Sequence, residues 1–320
     1  MSRAGANLTT ELKGLTTESG NAASLDLDAK SSLEIARIIN AEDARVAEAV
    51  ERALPQIAMA IDWIAEALRS GGRLIYVGAG TSGRIAGLDA AECPPTFNTN
   101  PKQVQFVMAG GTKALGAAVE ANEDSAALGR REIMKKRPGK KDVVVGIAAS
   151  GRTPFTVAAI EQAGKRGART VAVVCNRGSE LEKAAELAIV CEVGPEVVAG
   201  STRMKAGTAQ KMVLNLLTTG AMTRLGYVYG NLMVNVHLKN KKLLERGIGI
   251  LEQAAGVDHE TARKALARAG NRVPVALVML KCAVGRKEAE SRLKKARGHV
   301  RRAIESAGSA NTSGTALKNT

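Results

Sequence analysis

The sequence predicts an α/β protein: a doubly wound parallel five-stranded sheet flanked by helices, followed by a small C-terminal helical subdomain. Three observations lead there. Five short apolar runs alternate with segments of helical composition between Leu74 and Val193, an order that builds β-α-β units and parallel strands. Two of these runs, Val143-Val144-Val145 and Val171-Ala172-Val173-Val174, are apolar without alternation, as strands covered on both faces are. Beyond Leu243, apolar residues recur at helical spacing with no strand-like alternation.

Taken in order, residues 1–30 are polar and rich in Thr, Ser, Asn and Gly, and read as a mobile or draped N-terminal arm. The main domain is expected over 31–242. Leu33, Ile35, Ile38 and Ile39 open it at helical spacing, and an Ala-rich stretch follows in which Pro55 begins a second helix. Strands are expected at 74–77, 104–109, 143–149, 170–175 and 188–193, with helices at 114–134 and 154–165 between them. In the C-terminal subdomain, 243–305, Ile250, Leu251, Ala254, Val257, Ala262 and Leu266 outline a helical hairpin, and two further helices follow. The remainder, 306–320, reads as a disordered tail.

Composition narrows the function classes. The chain has 320 residues, a net charge of +15 and 2% aromatic residues. Its basic clusters (Lys135-Lys136-Arg137 with Lys140-Lys141, Lys239 with Lys241-Lys242, and the run from Arg286 to Arg302) lack the interleaved aromatics on which bases stack, so they read as a solvated face rather than a nucleic-acid site. Cys93, Cys175, Cys191 and Cys282 form no C-x-x-C pair and His237, His259 and His299 are isolated; no metal site is expected. No apolar run approaches the length of about 20 residues that spans a bilayer, and the N-terminus has no signal-peptide core. A cytoplasmic protein without membrane or nucleic-acid partners is expected.

The chemistry concentrates in loops at strand ends, where open α/β sheets bind ligands. After the first strand stands Gly78-Ala79-Gly80-Thr81-Ser82-Gly83, and after the third Ser150-Gly151-Arg152-Thr153-Pro154. Both are small hydroxyl loops opening helices, suited to one anion. After the fifth strand, Ser201-Thr202-Arg203-Met204-Lys205 leads into a long helix for which Ser201 or Thr202 is an N-cap candidate, with Arg203 and Lys205 available to an acidic ligand. Gly78, Gly80 and Gly83 also satisfy the G-x-G-x-x-G dinucleotide pattern, but the second strand ends Met108-Ala109-Gly110-Gly111-Thr112-Lys113 with no carboxylate for a ribose. The hydroxyls of Thr81, Ser82, Ser150 and Thr153 favour a terminal phosphomonoester, hence a phosphosugar and no cofactor. Lys113 leaves an NADP-dependent oxidoreductase as the weakest alternative.

Tyr76 to Arg84 with Leu88-Asp89-Ala90-Ala91-Glu92-Cys93-Pro94-Pro95-Thr96-Phe97, the stretch VVVGIAASGRTP ending at Pro154, GSTRMKAGTAQKMV from Gly200, GNLMVNV from Gly230 and the early segment Leu15 to Asn21 resemble the N-acetylmuramic acid 6-phosphate etherases. The resemblance covers about residues 15 to 303 and rests on long, specific motifs. It implies a sugar isomerase (SIS) domain, a homodimer with shared active sites, and metal-free cleavage of a lactyl ether in cell-wall amino-sugar recycling or catabolism. The departures are small: Ala86 and Gly87 stand where bulkier residues are common, and Asn98-Thr99-Asn100 where a glycine is common.

Such chemistry asks for one acid, one base and a phosphate anchor. Glu92 is expected in the last turn of a helix that Pro94 ends, where the negative end of the dipole favours a protonated acid. Glu120, Glu123 and Asp124 are expected on one helix face, and position within the family motif selects Glu123 as the base; the roles of acid and base are a preference. Gly80, Thr81, Ser82, Gly83, Ser150, Gly151, Arg152 and Thr153 are expected around the phosphate, and Ser201, Thr202, Arg203 and Lys205 around the rest of the substrate, with Arg203 or Lys205 on the lactyl carboxylate. The competing class is a sugar-phosphate-binding regulator with an SIS core and no turnover, like the related glucokinase regulatory proteins. Those carry two such domains, and a DNA-binding version would need a helix-turn-helix for which the short arm leaves no room.

Overall fold

The structure, a computed structural model, describes residues 16–117, 122–238 and 240–306. Glu120, Lys239, the first fifteen residues and the expected tail beyond Ser306 lie outside them. Described residues divide into two compact units: those up to Ala91 with Pro101–Thr219, and Glu92–Asn100 with those from Gly220 onward.

The first unit carries the sheet. Helices α1 (Ser32–Ala44), α2 (Val46–Glu51) and α3 (Leu54–Arg69) lead in, and α1 opens on a capping box between Ser31 and Glu34. Then come β1 (Leu74–Gly78), α4 (Gly80–Phe97), β2 (Val104–Met108), α5 (Ala126–Lys135), β3 (Val143–Ile147), α6 (Pro154–Lys165), β4 (Arg169–Val174), α7 (Glu180–Ala184), β5 (Leu187–Val190) and α8 (Lys205–Arg224). All neighbours pair in parallel, in the order β2-β1-β3-β4-β5, with Leu74 opposite both Val104 and Val143. The expected doubly wound sheet is present, and its strands match the expected ranges to within three residues at each end.

Both faces are covered, which explains the continuous apolar runs. Ile75, Val77, Val144, Ala172 and Val174 pack with Ile133 of α5, Phe155, Ala159 and Ile160 of α6, and Leu181 of α7. The helices approach closely because small residues let them. A Cβ on Gly146 of β3 would stand 2.5 Å from Ile160 Cγ1, and one on Gly129 of α5 would stand 2.1 Å from the Phe155 carbonyl oxygen. On the opposite face the Tyr76 hydroxyl donates to Asp89 of α4 at 2.9 Å, and Thr218 of α8 donates to the same carboxylate at 3.1 Å.

The described part of the arm is docked on this unit. Thr17 is buried, Asn176 donates to its hydroxyl at 3.1 Å, Ser24 donates to the Val197 carbonyl at 2.7 Å, and Asn21 donates to Glu42 at 2.8 Å.

Among the described residues, three helices lead in where two are expected, the C-terminal subdomain has five where four are expected, and two further differences bear on the site. In its described residues, the segment expected as a helix over 114–134 holds the end of a 3-10 turn (Gly111–Leu115) and, after Ser125, α5. Gly110 and Gly111 with positive φ, and the Ser125 hydroxyl accepting from the Leu128 N–H, set those limits. Second, α4 does not end before Cys93 but carries Pro94 and Pro95 inside it and stops at Phe97, where Asn98 turns left-handed at φ 53°.

In the second unit, α9 (Lys241–Ala255), α10 (His259–Arg268), α11 (Val273–Cys282), α12 (Arg286–Lys295) and α13 (Val300–Glu305) enclose a core of Ile248, Leu251, Leu266, Val273, Leu277, Leu293 and Val300. Asn240 and Asp258 cap α9 and α10 through their side chains. This is the expected helical subdomain. Its basic run is partly paired from within, Arg286 on Glu290 and Arg292 on Glu288, and Arg272 from outside the run shares Glu290. Among the described residues no helix is long and apolar enough to cross a membrane.

Candidate active site

The order of strands reverses between β1 and β3, so the chain leaves β1 toward one face as α4 and leaves β3 toward the other as α6. The crevice at such a point is where open α/β sheets bind ligands. Sheet pairing therefore brings the two hydroxyl loops side by side at the carboxyl ends of adjacent strands.

The glycines of the first loop have separable reasons. A Cβ on Gly78 would lie 2.9 Å from the Gly83 N, and one on Gly83 would lie 3.0 Å from the Gly78 O, so these two allow α4 to start hard against β1. Gly80 adopts φ +51°, a left-handed conformation costly for other residues. Thr81 is half-buried. Ser82 is buried, and its hydroxyl donates to Gln210 Oε1 of α8 at 2.9 Å. Arg84 donates to the carbonyls of Leu115 at 3.3 Å and Ala117 at 3.0 Å.

Glu123 faces this loop. Its Oε1 is 3.2 Å from the position a Cβ would take on Gly80, and its carbonyl accepts the Phe155 N–H of α6 at 3.0 Å. The half-buried carboxylate thus sits over the β1–α4 loop while its backbone is fastened to the start of α6. The turn before Ser125 achieves this, rather than the helix face expected for Glu123 and Asp124.

The second loop is built around Gly151 at φ +70°, against Ser179. The Ser150 hydroxyl accepts the Arg152 N–H at 3.3 Å and still has its proton to donate. Thr153 starts α6 without using its side chain as a cap. Ser150, Arg152 and Thr153 are all half-buried.

The third segment corrects two expectations. Neither Ser201 nor Thr202 caps α8; the carboxylate of Glu196, itself fully buried, accepts the N–H groups of Lys205 and Ala206, both at 2.9 Å. Lys205 is 1% exposed, and its ammonium is paired with Glu42 of α1, so its charge is already engaged inside the fold. Burial works to raise the Glu42 pKa, but hydrogen bonds from Lys205 and Asn21 outweigh it and hold the carboxyl below its ordinary value. Arg203 is the exposed cation of the segment, with Ser201 and Thr202 half-buried beside it. A Cβ on Gly207 would lie 3.4 Å from Thr81 Cγ2 and 3.6 Å from the Thr202 carbonyl, so this segment borders the first loop.

Glu92 is exposed on α4, within the second unit. Because α4 continues to Phe97, Glu92 lies in the body of the helix and not in the expected last turn. Asn235, from the GNLMVNV motif, donates to the Phe97 carbonyl at 2.7 Å and fastens the end of this helix. Local sequence reading misses Asp89, which burial pushes up to about 6 against the pull of Tyr76, Thr218 and Lys211. It also misses Glu196, which caps α8 from nine residues upstream, and Gln210 and Glu42, whose partners lie far away in the chain. Among the described residues no group of three or more His, Cys, Asp or Glu is arranged to hold a metal ion.

Family models match in three places: the glucokinase regulatory protein N-terminal SIS domain over 56–164, the SIS domain over 131–220, and the C-terminal lid domain of glucokinase regulatory protein over 230–271. An N-acetylmuramic acid 6-phosphate etherase of Clostridium beijerinckii is 47% identical over 294 residues, 92% of this chain and 97% of its own length. One from Symbiobacterium thermophilum is 56% identical over 271 residues, 84% of this chain and 90% of its own. The chain belongs to the N-acetylmuramic acid 6-phosphate etherase family. Membership makes it an enzyme of the carbon–oxygen lyase class, built on the SIS fold. Among solved structures, phosphoheptose isomerase GmhA from Neisseria gonorrhoeae aligns at 17% identity with a TM-score of 0.48, over 60% of this chain and 100% of that one.

Proposed function

We propose that this chain cleaves the D-lactyl ether of N-acetylmuramic acid 6-phosphate to give N-acetylglucosamine 6-phosphate and D-lactate, a step in recycling or catabolism of cell-wall amino sugar. The observation that carries the reading to this chain's own residues is the Glu123 carboxylate over Gly80, beside two loops of hydroxyls and amides at the sheet's switch point. The names of its relatives supply the substrate.

An ether oxygen is a poor leaving group, so the route runs through the ring-opened aldehyde. There the carbonyl at C1 acidifies the C2 proton. A base removes that proton, the C3–O bond breaks, and the departing lactate oxygen takes a proton from an acid. Water then adds to the unsaturated aldehyde, its oxygen to C3 and a proton to C2, and both catalytic groups return to their starting states. Glu123 is assigned the base and Glu92 the acid; the latter rests on the family motif alone.

The 6-phosphate is held by Thr81, Ser150 and Thr153, by amides of Gly80-Thr81-Ser82-Gly83 and Ser150-Gly151-Arg152-Thr153, and by Ser82 once its hydroxyl is released from Gln210. Arg203, with Ser201 and Thr202, takes the lactyl carboxylate; Lys205 is withdrawn from that role by Glu42. A homodimer in which loops of two subunits complete each site belongs to the same reading and is checked by light scattering.

The test is lactate release by the purified chain and its Glu123→Gln and Glu92→Gln variants. Each variant should bind the phosphosugar nearly as the parent does while turnover falls by roughly 10²-fold or more. Unchanged turnover removes that residue from its role. Tight sugar-phosphate binding with no lactate from the parent chain would mean a non-catalytic regulator.

A further inference from the structure

The carboxamide of Gln210 has two polar ends, and only one is used. Gln210 lies in the second turn of α8 and is 1% exposed; its Oε1 accepts the Ser82 hydroxyl at 2.9 Å, while its buried Nε2 has no hydrogen-bond partner. Leaving a buried amide end unpaired carries a desolvation cost with no return, so such a group in a folded chain asks for a reason. Ser82 is only 8% exposed. A serine hydroxyl has one proton and two lone pairs, and here the proton is directed to Gln210. In this arrangement Ser82 has nothing to donate to an anion.

We propose that Gln210 is a positioning residue that acts through Ser82 and makes the β1–α4 loop selective for a phosphate dianion, an inference that rests on that loop being the phosphate anchor. With no acceptor at the loop, Ser82 gives its hydrogen bond to Oε1. When a phosphate oxygen arrives, the carboxamide rotates half a turn about its terminal bond, Nε2 donates to Ser82 Oγ, and the Ser82 O–H swings to the phosphate. No proton changes owner; only hydrogen bonds are exchanged.

Before the exchange the unpaired end is Nε2, and after it the unpaired end is Oε1, so the amide is left no better satisfied. The net gain is a charge-assisted hydrogen bond between Ser82 and phosphate, roughly twice as strong as a neutral one. A neutral sugar hydroxyl offers less, so the exchange discriminates in favour of the phosphorylated sugar. The exchange also accounts for keeping a two-ended amide where an apolar side chain would pack without an orphan.

The experiment uses the full chain and four variants: Gln210→Met, of similar length without hydrogen bonds; Gln210→Glu, which when ionised only accepts and keeps the Ser82 proton pinned; Ser82→Ala; and Ser82→Ala with Gln210→Met. Readouts are KM and kcat for N-acetylmuramic acid 6-phosphate, and the dissociation constant of inorganic phosphate from a ³¹P NMR titration, which needs no turnover. Melting temperatures check folding, and Gln210→Met should keep or raise Tm because it removes the orphan.

Gln210→Glu should raise KM and the phosphate dissociation constant about tenfold or more, with kcat changed less than about threefold. Gln210→Met frees the Ser82 proton but removes the Nε2 donor that orients Ser82 Oγ in the phosphate-bound state, so it should raise both constants about three- to tenfold in the parent chain and leave them unchanged in the Ser82→Ala background. Additive effects in the two backgrounds, or phosphate binding by Gln210→Glu equal to that of the parent, would overturn the role of Gln210 and leave the phosphate anchor standing. If Ser82→Ala itself bound phosphate as the parent does, both would fall. Should Gln210→Met fail to fold, Gln210→Glu with and without Ser82→Ala completes the same cycle.

Discussion

Gly80 is the residue at which backbone conformation and candidate chemistry meet, and Gly80→Ala separates the two. The substitution places a methyl group on a residue at φ +51°, which costs about 1–2 kcal/mol for a residue with a Cβ. The same methyl would stand 3.2 Å from Glu123 Oε1, tighter than an ordinary van der Waals contact, so the carboxylate must retreat by a few tenths of an ångström. The far end of a flexible side chain moves easily, and the stability loss should therefore stay near the backbone cost alone. Catalysis is less forgiving, since a misplacement of about 1 Å can cost 10²-fold. Gly80→Ala should thus lose about 1–2 kcal/mol in chemical denaturation and about tenfold or more in kcat, with a smaller change in KM. Shortening the base in the double variant with Glu123→Asp should return part of the lost kcat. Parental kcat in a folded Gly80→Ala, or a double variant that is simply the product of the two singles, would refute the placement of the base over this loop.

Removing the Lys205 ammonium leaves Glu42 buried without its main partner, so Lys205→Met should destabilise by about 3–5 kcal/mol, and Glu42→Gln in the same chain should recover much of it; urea unfolding measures both. A stable Lys205→Met with a raised KM would instead return Lys205 to the substrate. The carboxyl of Asp89 has its pKa raised from 3.8 to about 6, so between those values the folded chain holds a proton that the unfolded chain has released. Its contribution to stability falls as pH rises through that window, by about 3 kcal/mol in all, and the penalty persists above it. Asp89→Asn should flatten that part of a stability-against-pH curve, and an unchanged slope would contradict the assignment. Ser150→Ala should weaken phosphosugar binding with little effect on kcat, and an unchanged apparent affinity would remove Ser150 from the anchor.

The sheet is legible in the sequence because parallel strands buried on both faces leave runs such as Val143-Val144-Val145, and because glycine loops follow two of them. The reversal of strand order between β1 and β3 then makes neighbours of loops about 70 residues apart in sequence. Local rules fail where tertiary partners decide. Pro94 and Pro95 are expected to end a helix, yet α4 runs through them to an Asn98 stop held by Asn235. The Ala-rich composition around Glu123 suggests a helix, but Ser125 caps a new helix within that run, and Glu123, in the turn before it, lies with its carboxylate against Gly80 instead. Lys205 reads as a free cation because Glu42, its partner, is 163 residues away, and nothing in the local pattern around either residue announces the pair.

The elimination route is tested most directly by turning over N-acetylmuramic acid 6-phosphate in H₂¹⁸O and locating the label by mass spectrometry. Loss of lactate with its own ether oxygen, followed by addition of water at C3, predicts ¹⁸O in the N-acetylglucosamine 6-phosphate and none in the lactate. Label in the lactate and not in the sugar would contradict it.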